Sequence, residues 1–273
     1  MQKRGQITIF LVIGLIIVIL AGIFFYFNRS SLKSKFAYVP DRLSNDAEIV
    51  KAYAETCIKM LAEEALFEKI GMQGGYIDVS APAALYQSNE VPYYTDGAAT
   101  EIPALDDISK RISDYVNAEF RNCFGRHPFR EIGYTITPLS AIKTDVSINE
   151  EDVSVAVNYS LSVNKDNTET ILESYGIILP IRLGFLYESA VGSGMNSGLL
   201  RRIMDAQASS NTYIISSSDC PDSLTNIYLK DSDDGNGKII QFADFSTYYE
   251  HYFNSYIFQF AVKNVQVSGG CAI

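Results

Sequence analysis

The sequence predicts an α+β protein in which one apolar N-terminal helix precedes a domain of two helices and an antiparallel sheet. Three observations predict this class: a long uncharged run near the N-terminus, two later segments with helical periodicity, and several segments that alternate apolar and polar residues. The chain accordingly divides into a short basic leader or cytoplasmic end (1–6), a hydrophobic helix (7–27), a stalk (28–43) and an α+β domain (44–273).

The apolar segment from Ile7 to Phe27 contains 21 residues without a formal charge. A helix of this length covers the ~30 Å hydrocarbon core of a bilayer, so the segment is predicted to span membrane lipid. A cleaved secretory peptide has a shorter apolar core, of about 7–15 residues, and a small-residue cleavage site. Here bulky aromatic residues end the run at 24–27, which favours a transmembrane helix that is retained.

The composition limits the partners of the chain. Of its 273 residues 47% are hydrophobic, which excludes a disordered chain, and the formal net charge is −10. A surface this acidic repels phosphate backbones, so no nucleic acid is expected as a partner. The charges beside the apolar helix do not fix its orientation, because Lys3 and Arg4 precede it and Arg29, Lys33 and Lys35 follow it.

Cysteine usage favours an extracellular domain. The four cysteines fall into two pairs, Cys57 with Cys123 and Cys220 with Cys271, separated by a long cysteine-free stretch. An even number of cysteines in a membrane-anchored chain is typical of disulfides in an oxidising compartment. The alternative is four unrelated thiols in a cytosolic domain. No CxxC or HxxxH spacing occurs, which argues against a zinc site, and the sequence predicts no metal and no cofactor.

Two segments of the domain have the periodicity of amphipathic helices. The first begins at Asn45 or Asp46 and ends at Ile70, before glycines; its apolar positions are Ile49, Tyr53, Cys57, Leu61 and Ala65, with Val50, Met60 and Phe67 beside them. The second runs from near Pro103 to Cys123, and its apolar positions are Ile108, Ile112, Tyr115, Val116 and Phe120. Cys57 and Cys123 both continue these stripes, which favours a bridge between the helices over reactive or merely buried thiols.

Alternating residues predict strands in the rest of the domain. A hairpin is expected from strands at 142–148 and 153–163, with a third strand at 170–179, whereas 81–100, rich in Pro, Tyr and Gly, is expected to be a loop. Helical segments are expected at 185–191 and 199–206, and further strands at 213–216, 225–229, 238–242 and 256–267. A bridge between Cys220 and Cys271 is predicted to fix the end of the chain to this last sheet.

Two local patterns are candidate sites. The aromatic segment 245–256 is the most unusual in composition. It offers a possible interface, either subunit-contacting or adhesive, at Tyr248, Tyr249, Tyr252, Phe253 and Tyr256. The alternative is that these side chains form part of the core. The acidic segment 231–237 resembles part of a calcium loop but has Phe242 where the terminal Glu is required, so a simple hairpin turn is favoured.

Catalytic motifs are absent from the sequence. Paired carboxylates occur at 63–64, 106–107 and 150–151, but neighbours on a helix do not face one another, and the pair at 106–107 fits a capping role. His127 and His251 are isolated, and no GxSxG or HExxH motif occurs. The chain is therefore not expected to be an enzyme.

The first residues carry a resemblance to a known family. Lys3-Arg4-Gly5-Gln6-Ile7-Thr8, followed by the apolar run, resembles the class III signal sequence of archaeal type IV pilins and archaellins. The resemblance implies processing between Gly5 and Gln6 and packing of the apolar helix in a filament core; a plain signal anchor is the alternative. Many of these pilins have Glu at the fifth mature position, where this chain has Phe10. Residues 70–76 also resemble part of uncharacterised anchored proteins of small archaea, which implies no activity.

Two classes of function follow from these expectations. In the first, the chain is a cell-surface structural protein, a pilin-like filament subunit with an adhesive outer domain, whose partners are membrane lipid and copies of itself. In the second, it is a single-pass membrane protein whose extracellular domain does not assemble but binds a ligand or another cell surface.

Overall fold

The computed structural model describes residues 45–96, 102–125, 129–192, 198–246 and 255–271. All of them belong to one compact unit, Ser44–Ile273. The leader, the apolar helix and the stalk lie outside the described residues, as do His127, His251, Tyr248, Tyr249, Tyr252 and Phe253. Among the described residues, no helix is both long enough and apolar enough to cross a bilayer.

The described unit has the predicted α+β class, with more elements than the sequence indicates. Its four α-helices are α1 (Asn45–Glu64), α2 (Leu105–Phe124), α3 (Leu183–Ala190) and α4 (Leu199–Ala208), and a π-helical segment, Ala65–Gly71, continues α1. Its strands are β1 (Ala83–Tyr86), β2 (Asn89–Thr95), β3 (Thr135–Pro138), β4 (Lys143–Ile148), β5 (Val153–Lys165), β6 (Thr168–Leu179), β7 (Tyr213–Ile215), β8 (Thr225–Asp231), β9 (Lys238–Asp244), β10 (Tyr256–Val262) and β11 (Val267–Gly269).

The strands form three sheets, and not all of them are antiparallel. The first sheet has the order β1-β2-β10-β9-β8. In the second sheet β5 pairs with β3, β4 and β6, and in the third β7 pairs with β11. The prediction of purely antiparallel pairing is wrong for β2 with β10 and for β7 with β11, which are parallel. Parallel strands need a long connection, so their pairing cannot be inferred from local turns.

The second sheet carries helices on its apolar face. Along β5 the alternate residues Val153, Val155, Val157, Tyr159, Leu161 and Val163 are all buried, as the alternation predicts. Helix α1 packs against β5 and β6, and α2 packs against β4. The Phe120 ring of α2 meets the Tyr159 ring of β5 edge-on, with the ring centroids 5.8 Å apart. This core holds the two helices that carry Cys57 and Cys123.

Helix α1 and the π-helical segment that continues it bury most of the predicted stripe, including Val50, Cys57, Leu61, Ala65 and Phe67, but two large residues of the predicted set are exposed. Ile49 is 51% exposed and Met60 is 59% exposed, although both were placed on or beside the apolar stripe. Ala47, Ala54 and Ala62, which were not predicted to be buried, are fully buried, because small side chains let α1 lie close to the sheet. An alanine line has a weak hydrophobic signal, so the larger Ile49 and Met60 dominate the sequence pattern.

The predicted loop at 81–100 is wrong, since β1 and β2 form an antiparallel hairpin there. Its turn residues Gln87 and Ser88 have φ values of 49° and 67°, both in the left-handed region. A two-residue turn of this kind normally carries Asn-Gly or Asp-Gly, and Pro92 within β2 is also unusual for a strand. The hairpin therefore lacks the residues that identify such turns in a sequence.

Candidate functional site

The structure contains both predicted disulfides. Cys57 of α1 is bonded to Cys123 of α2, and Cys220 is bonded to Cys271; in each pair the Cα atoms are 5.9 Å apart, an ordinary separation for a bridge. The second bridge fixes the chain end, where Cys271 also pairs its backbone with Ile227 of β8. No free cysteine is present among the described residues. Such bridges form and persist in oxidising compartments.

A buried ionic cluster supports the second disulfide. The Asp219 carboxylate, next to Cys220, lies 2.8 Å from the Arg202 guanidinium of α4 and accepts hydrogen bonds from the Tyr213 hydroxyl and from the Ser216 backbone. Burial raises the pKa of Asp219, but these hydrogen bonds and Arg202 outweigh it and lower that pKa below its ordinary value. Burial, and secondly the hydrogen bond with Asp219, raise the pKa of Tyr213 to about 12. The Asp219 carboxylate is therefore ionised, and the cluster has a structural role.

A second buried ionic cluster connects α3 to the first sheet. Arg182, directly before α3, places one guanidinium nitrogen 3.0 Å from the Asp244 carboxylate of β9 and another against the Asp222 carboxylate. Its guanidinium carbon also lies 4.0 Å from the centroid of the Phe185 ring. Only 8% of the Arg182 side chain and 3% of the Asp244 side chain are exposed, so this pair is shielded from water and is paired on both sides.

A groove of about 780 Å³ follows the first disulfide between α1 and α2. Its walls carry the carboxylates of Glu63, Glu64, Glu68 and Glu119, and the exposed Met60 lies on its rim. Burial, followed by hydrogen bonding to Glu64, raises the pKa of Tyr115, so this phenol stays protonated. The groove is acidic, yet within the described ranges no group of three or more His, Cys, Asp or Glu residues is arranged to hold a metal ion.

A second cavity, of about 510 Å³, is lined by two cationic side chains, and we call it the cationic cleft. Its lining consists of Tyr76, Ser80, Ala81, Pro82, Tyr93, Asp96, Arg111, Lys263 and Asn264. Arg111 comes from α2, whereas Lys263 and Asn264 directly follow β10, and Asp96 directly follows β2. Its volume lies within the range of small-molecule sites. Four separate parts of the chain therefore meet at this cleft.

Sequence reasoning missed the cationic cleft. Arg111 and Lys263 are far apart in the chain and belong to no motif, and Arg111 lies beside, not on, the apolar stripe of α2. The parallel pairing of β2 with β10 brings Asp96 beside Lys263, and contacts with Gly75 and Tyr76 place Arg111 in the same cavity; neither arrangement has a local sequence signal. No single segment could have identified this cluster.

The acidic segment 231–237 is the turn of the β8–β9 hairpin. The Asp233 carboxylate accepts a hydrogen bond from the Gln87 backbone N–H at 2.8 Å, and the Asp233 N–H donates to the Leu85 carbonyl oxygen at 2.8 Å. Both contacts are with the β1–β2 hairpin, next to the left-handed Gln87 and Ser88. The favoured interpretation as a hairpin turn is confirmed, and Asp233 also stabilises an unusual neighbouring turn.

The predicted aromatic interface is corrected at one residue. Tyr256 is 1% exposed and packs edge-on against Phe67, with ring centroids 5.2 Å apart, so it belongs to the core. It lies in β10, whose side chains are covered by the π-helical segment on one face. The other four predicted interface residues lie outside the described residues, and their role stays a prediction.

The paired carboxylates have structural contacts where the structure shows them. Asp107 accepts a hydrogen bond from the Ala104 backbone N–H at 3.3 Å, which fits the predicted role at the start of α2. Lys59 lies 3.8 Å from Glu63 on α1, as an ordinary surface pair. Comparison of the chain with protein families, with curated proteins and with solved structures finds no match.

Proposed function

We propose that this chain is a cell-surface structural protein: a pilin-like filament subunit whose apolar helix packs with copies of itself and whose disulfide-bonded domain faces the exterior. The observation that carries the proposal is the pair of disulfides, each between distant elements, in a domain that follows a long apolar segment. Disulfides are typical of domains in oxidising compartments, and an apolar segment of this length suits attachment to the cell membrane, so both support the proposal. The proposal assigns no catalysis to the chain.

The filament hypothesis requires the segment 7–27 to pack against other copies of the chain. Lipid already satisfies an apolar helix, so membrane retention alone gives little drive to associate. Gly14 and Gly22 are eight residues apart and allow local close approach, but they form no GxxxG motif. A filament must instead bury Ile13, Ile16, Ile17 and their neighbours against other copies. The family resemblance of Lys3 to Thr8 supports this arrangement.

The proposal is tested by substituting Ile17, in the middle of the apolar run. Ile17→Asp places a carboxylate in a packed helical core and should abolish surface filaments, because an unpaired charge there is costly. Ile17→Leu keeps the volume and apolar character and is the matched control. Immunogold electron microscopy of cells that express each variant shows whether filaments contain the chain. Wild-type cells without labelled filaments would refute the filament function.

Processing provides a separate test. Mass spectrometry of the mature N-terminus should find Gln6 as the first residue, after loss of 1–5, if the class III resemblance reflects the biology of the chain. An intact Met1 would instead favour a signal anchor.

The alternative function is a membrane-anchored extracellular binding domain that does not assemble. The cationic cleft favours it, because a cavity of about 510 Å³ with converging charged groups has the character of a ligand site. Chemical crosslinking in intact membranes distinguishes the two: a ladder of oligomers supports the filament subunit, and a single monomeric band supports the anchored domain. Another cell surface is a partner that both functions allow.

A further inference from the structure

We propose that the cationic cleft binds an acidic sugar, with Arg111 and Lys263 holding the carboxylate of a hexuronate and the rim residues holding its hydroxyl groups. This inference rests on the binding function proposed above for the extracellular domain. It does not depend on assembly, since a filament subunit and a lone anchored domain would present the same cleft.

Arg111 is held in place before any ligand arrives. One of its terminal guanidinium nitrogens donates a hydrogen bond to the Gly75 carbonyl oxygen at 2.7 Å, and its guanidinium carbon lies 4.1 Å from the centroid of the Tyr76 ring. A guanidinium has five N–H donors in a planar fork that matches a carboxylate. Because the side chain is already fixed, binding through its other donors costs little further conformational entropy.

Lys263 supplies the second positive charge. Its backbone N–H donates to the Thr95 carbonyl oxygen at 2.8 Å, and its ammonium nitrogen lies 5.6 Å from the centroid of the Tyr93 ring. Within the described part of the chain, neither Lys263 nor Arg111 forms a salt bridge with a carboxylate, whereas Arg182 and Arg202 do. In a chain with a net charge of −10, two such cations in one cavity favour an anionic ligand.

The rim of the cleft favours a ligand that carries hydroxyl groups as well. Asp96 and Asn264 are exposed there, and the Asn264 side-chain amide donates to the Asp96 carbonyl oxygen at 2.8 Å, which holds the two residues together. A carboxylate such as that of Asp96 accepts hydrogen bonds and repels a simple anion, so it suits sugar hydroxyls. Ser80, also exposed, adds a donor and acceptor. Cations and an acceptor in one cavity match a polyhydroxylated carboxylate better than an inorganic anion or a neutral sugar.

The test compares two ligands that differ only in the carboxylate. The full chain in detergent micelles is titrated with methyl β-D-glucuronide and with methyl β-D-glucoside, and binding is followed by saturation-transfer NMR. We expect the glucuronide to bind and the glucoside to bind at least about tenfold more weakly, because only the carboxylate forms charge-assisted hydrogen bonds with the two cations. Lys263→Gln and Arg111→Gln should each weaken glucuronide binding by about tenfold or more.

Lys143→Gln is the matched control, because this exposed lysine of β4, in the second sheet, forms a surface pair with Asp145 and should leave glucuronide binding unchanged. Circular dichroism must show that each variant is folded. Lys263→Gln removes no side-chain hydrogen bond within the described residues, so it keeps the test valid if Arg111→Gln unfolds. Equal binding of glucuronide and glucoside would overturn the proposal. Sulfate, or an acetylated tri-glutamate peptide, that binds more tightly than the glucuronide would overturn it too, in favour of an inorganic anion or an acidic protein segment. Loss of filaments with intact glucuronide binding would leave this site standing.

Discussion

Replacing Cys57 and Cys123 together with alanine removes the bridge between α1 and α2 and leaves every other covalent link intact. The two residues are 66 positions apart in the chain. For a closed loop of that length, the loss of unfolded-chain entropy corresponds to about 4 kcal/mol at 25 °C. Measured effects are usually somewhat smaller, so we expect the free energy of unfolding to fall by about 3 kcal/mol.

The second bridge provides an internal comparison. Cys220 and Cys271 are 51 positions apart, so the same reasoning predicts a loss only about 0.2 kcal/mol smaller for the Cys220→Ala/Cys271→Ala variant. The chain has no tryptophan, and unfolding in urea is therefore followed by circular dichroism, on the full chain in detergent micelles. The wild type in dithiothreitol should be destabilised by the sum of both effects.

Two results would refute this reasoning. A loss below about 1 kcal/mol for the Cys57 and Cys123 variant would mean that the bridge barely restricts the unfolded chain. A difference above about 1 kcal/mol between the two variants would mean that local packing, and not loop length, determines the effect.

Two further predictions concern the buried ionic clusters. Arg182→Met should lower the free energy of unfolding by about 3–5 kcal/mol in urea denaturation, because it leaves the buried Asp244 carboxylate without its cation; retention of wild-type stability would contradict this. The depressed pKa of Asp219 stabilises the fold at neutral pH, and that contribution is lost as the pH falls through the folded-state pKa, which lies below 3.8. Asp219→Asn should therefore be less stable than wild type at pH 7, and the acid unfolding curves of the two proteins should converge below about pH 4. An equal difference in stability at both pH values would contradict the depressed pKa of Asp219.

Much of the fold follows from the sequence where the signal is local. The alternation along β5 and the helical period of α2 identify elements whose faces are buried as predicted, because a half-buried element repeats its apolar residues at its own period. The cysteine pairs are predicted for a related reason, since two of them continue apolar stripes of neighbouring helices.

The failures have physical causes of their own. The β1–β2 hairpin has Gln87 and Ser88 at its turn and is stabilised by Asp233, about 146 residues away, so no local pattern marks it. Tyr256 reads as part of an aromatic surface segment, yet β10 buries it under the π-helical segment. The cationic cleft depends on the parallel pairing of β2 with β10, which tertiary packing alone decides.

The two disulfides close loops that do not overlap, and the whole β5-based sheet lies in the chain between them. A mechanical pull on the two ends of the domain can therefore extend that sheet but not the segments inside the bridges. At about 3.5 Å per residue, the Cys57–Cys123 bridge prevents roughly 230 Å of extension and the Cys220–Cys271 bridge prevents roughly 180 Å. The extensible part of the domain is therefore the stretch 124–219, which holds the β5-based sheet, α3, α4 and β7, while α1 stays bonded to α2 and the chain end stays bonded beside β8.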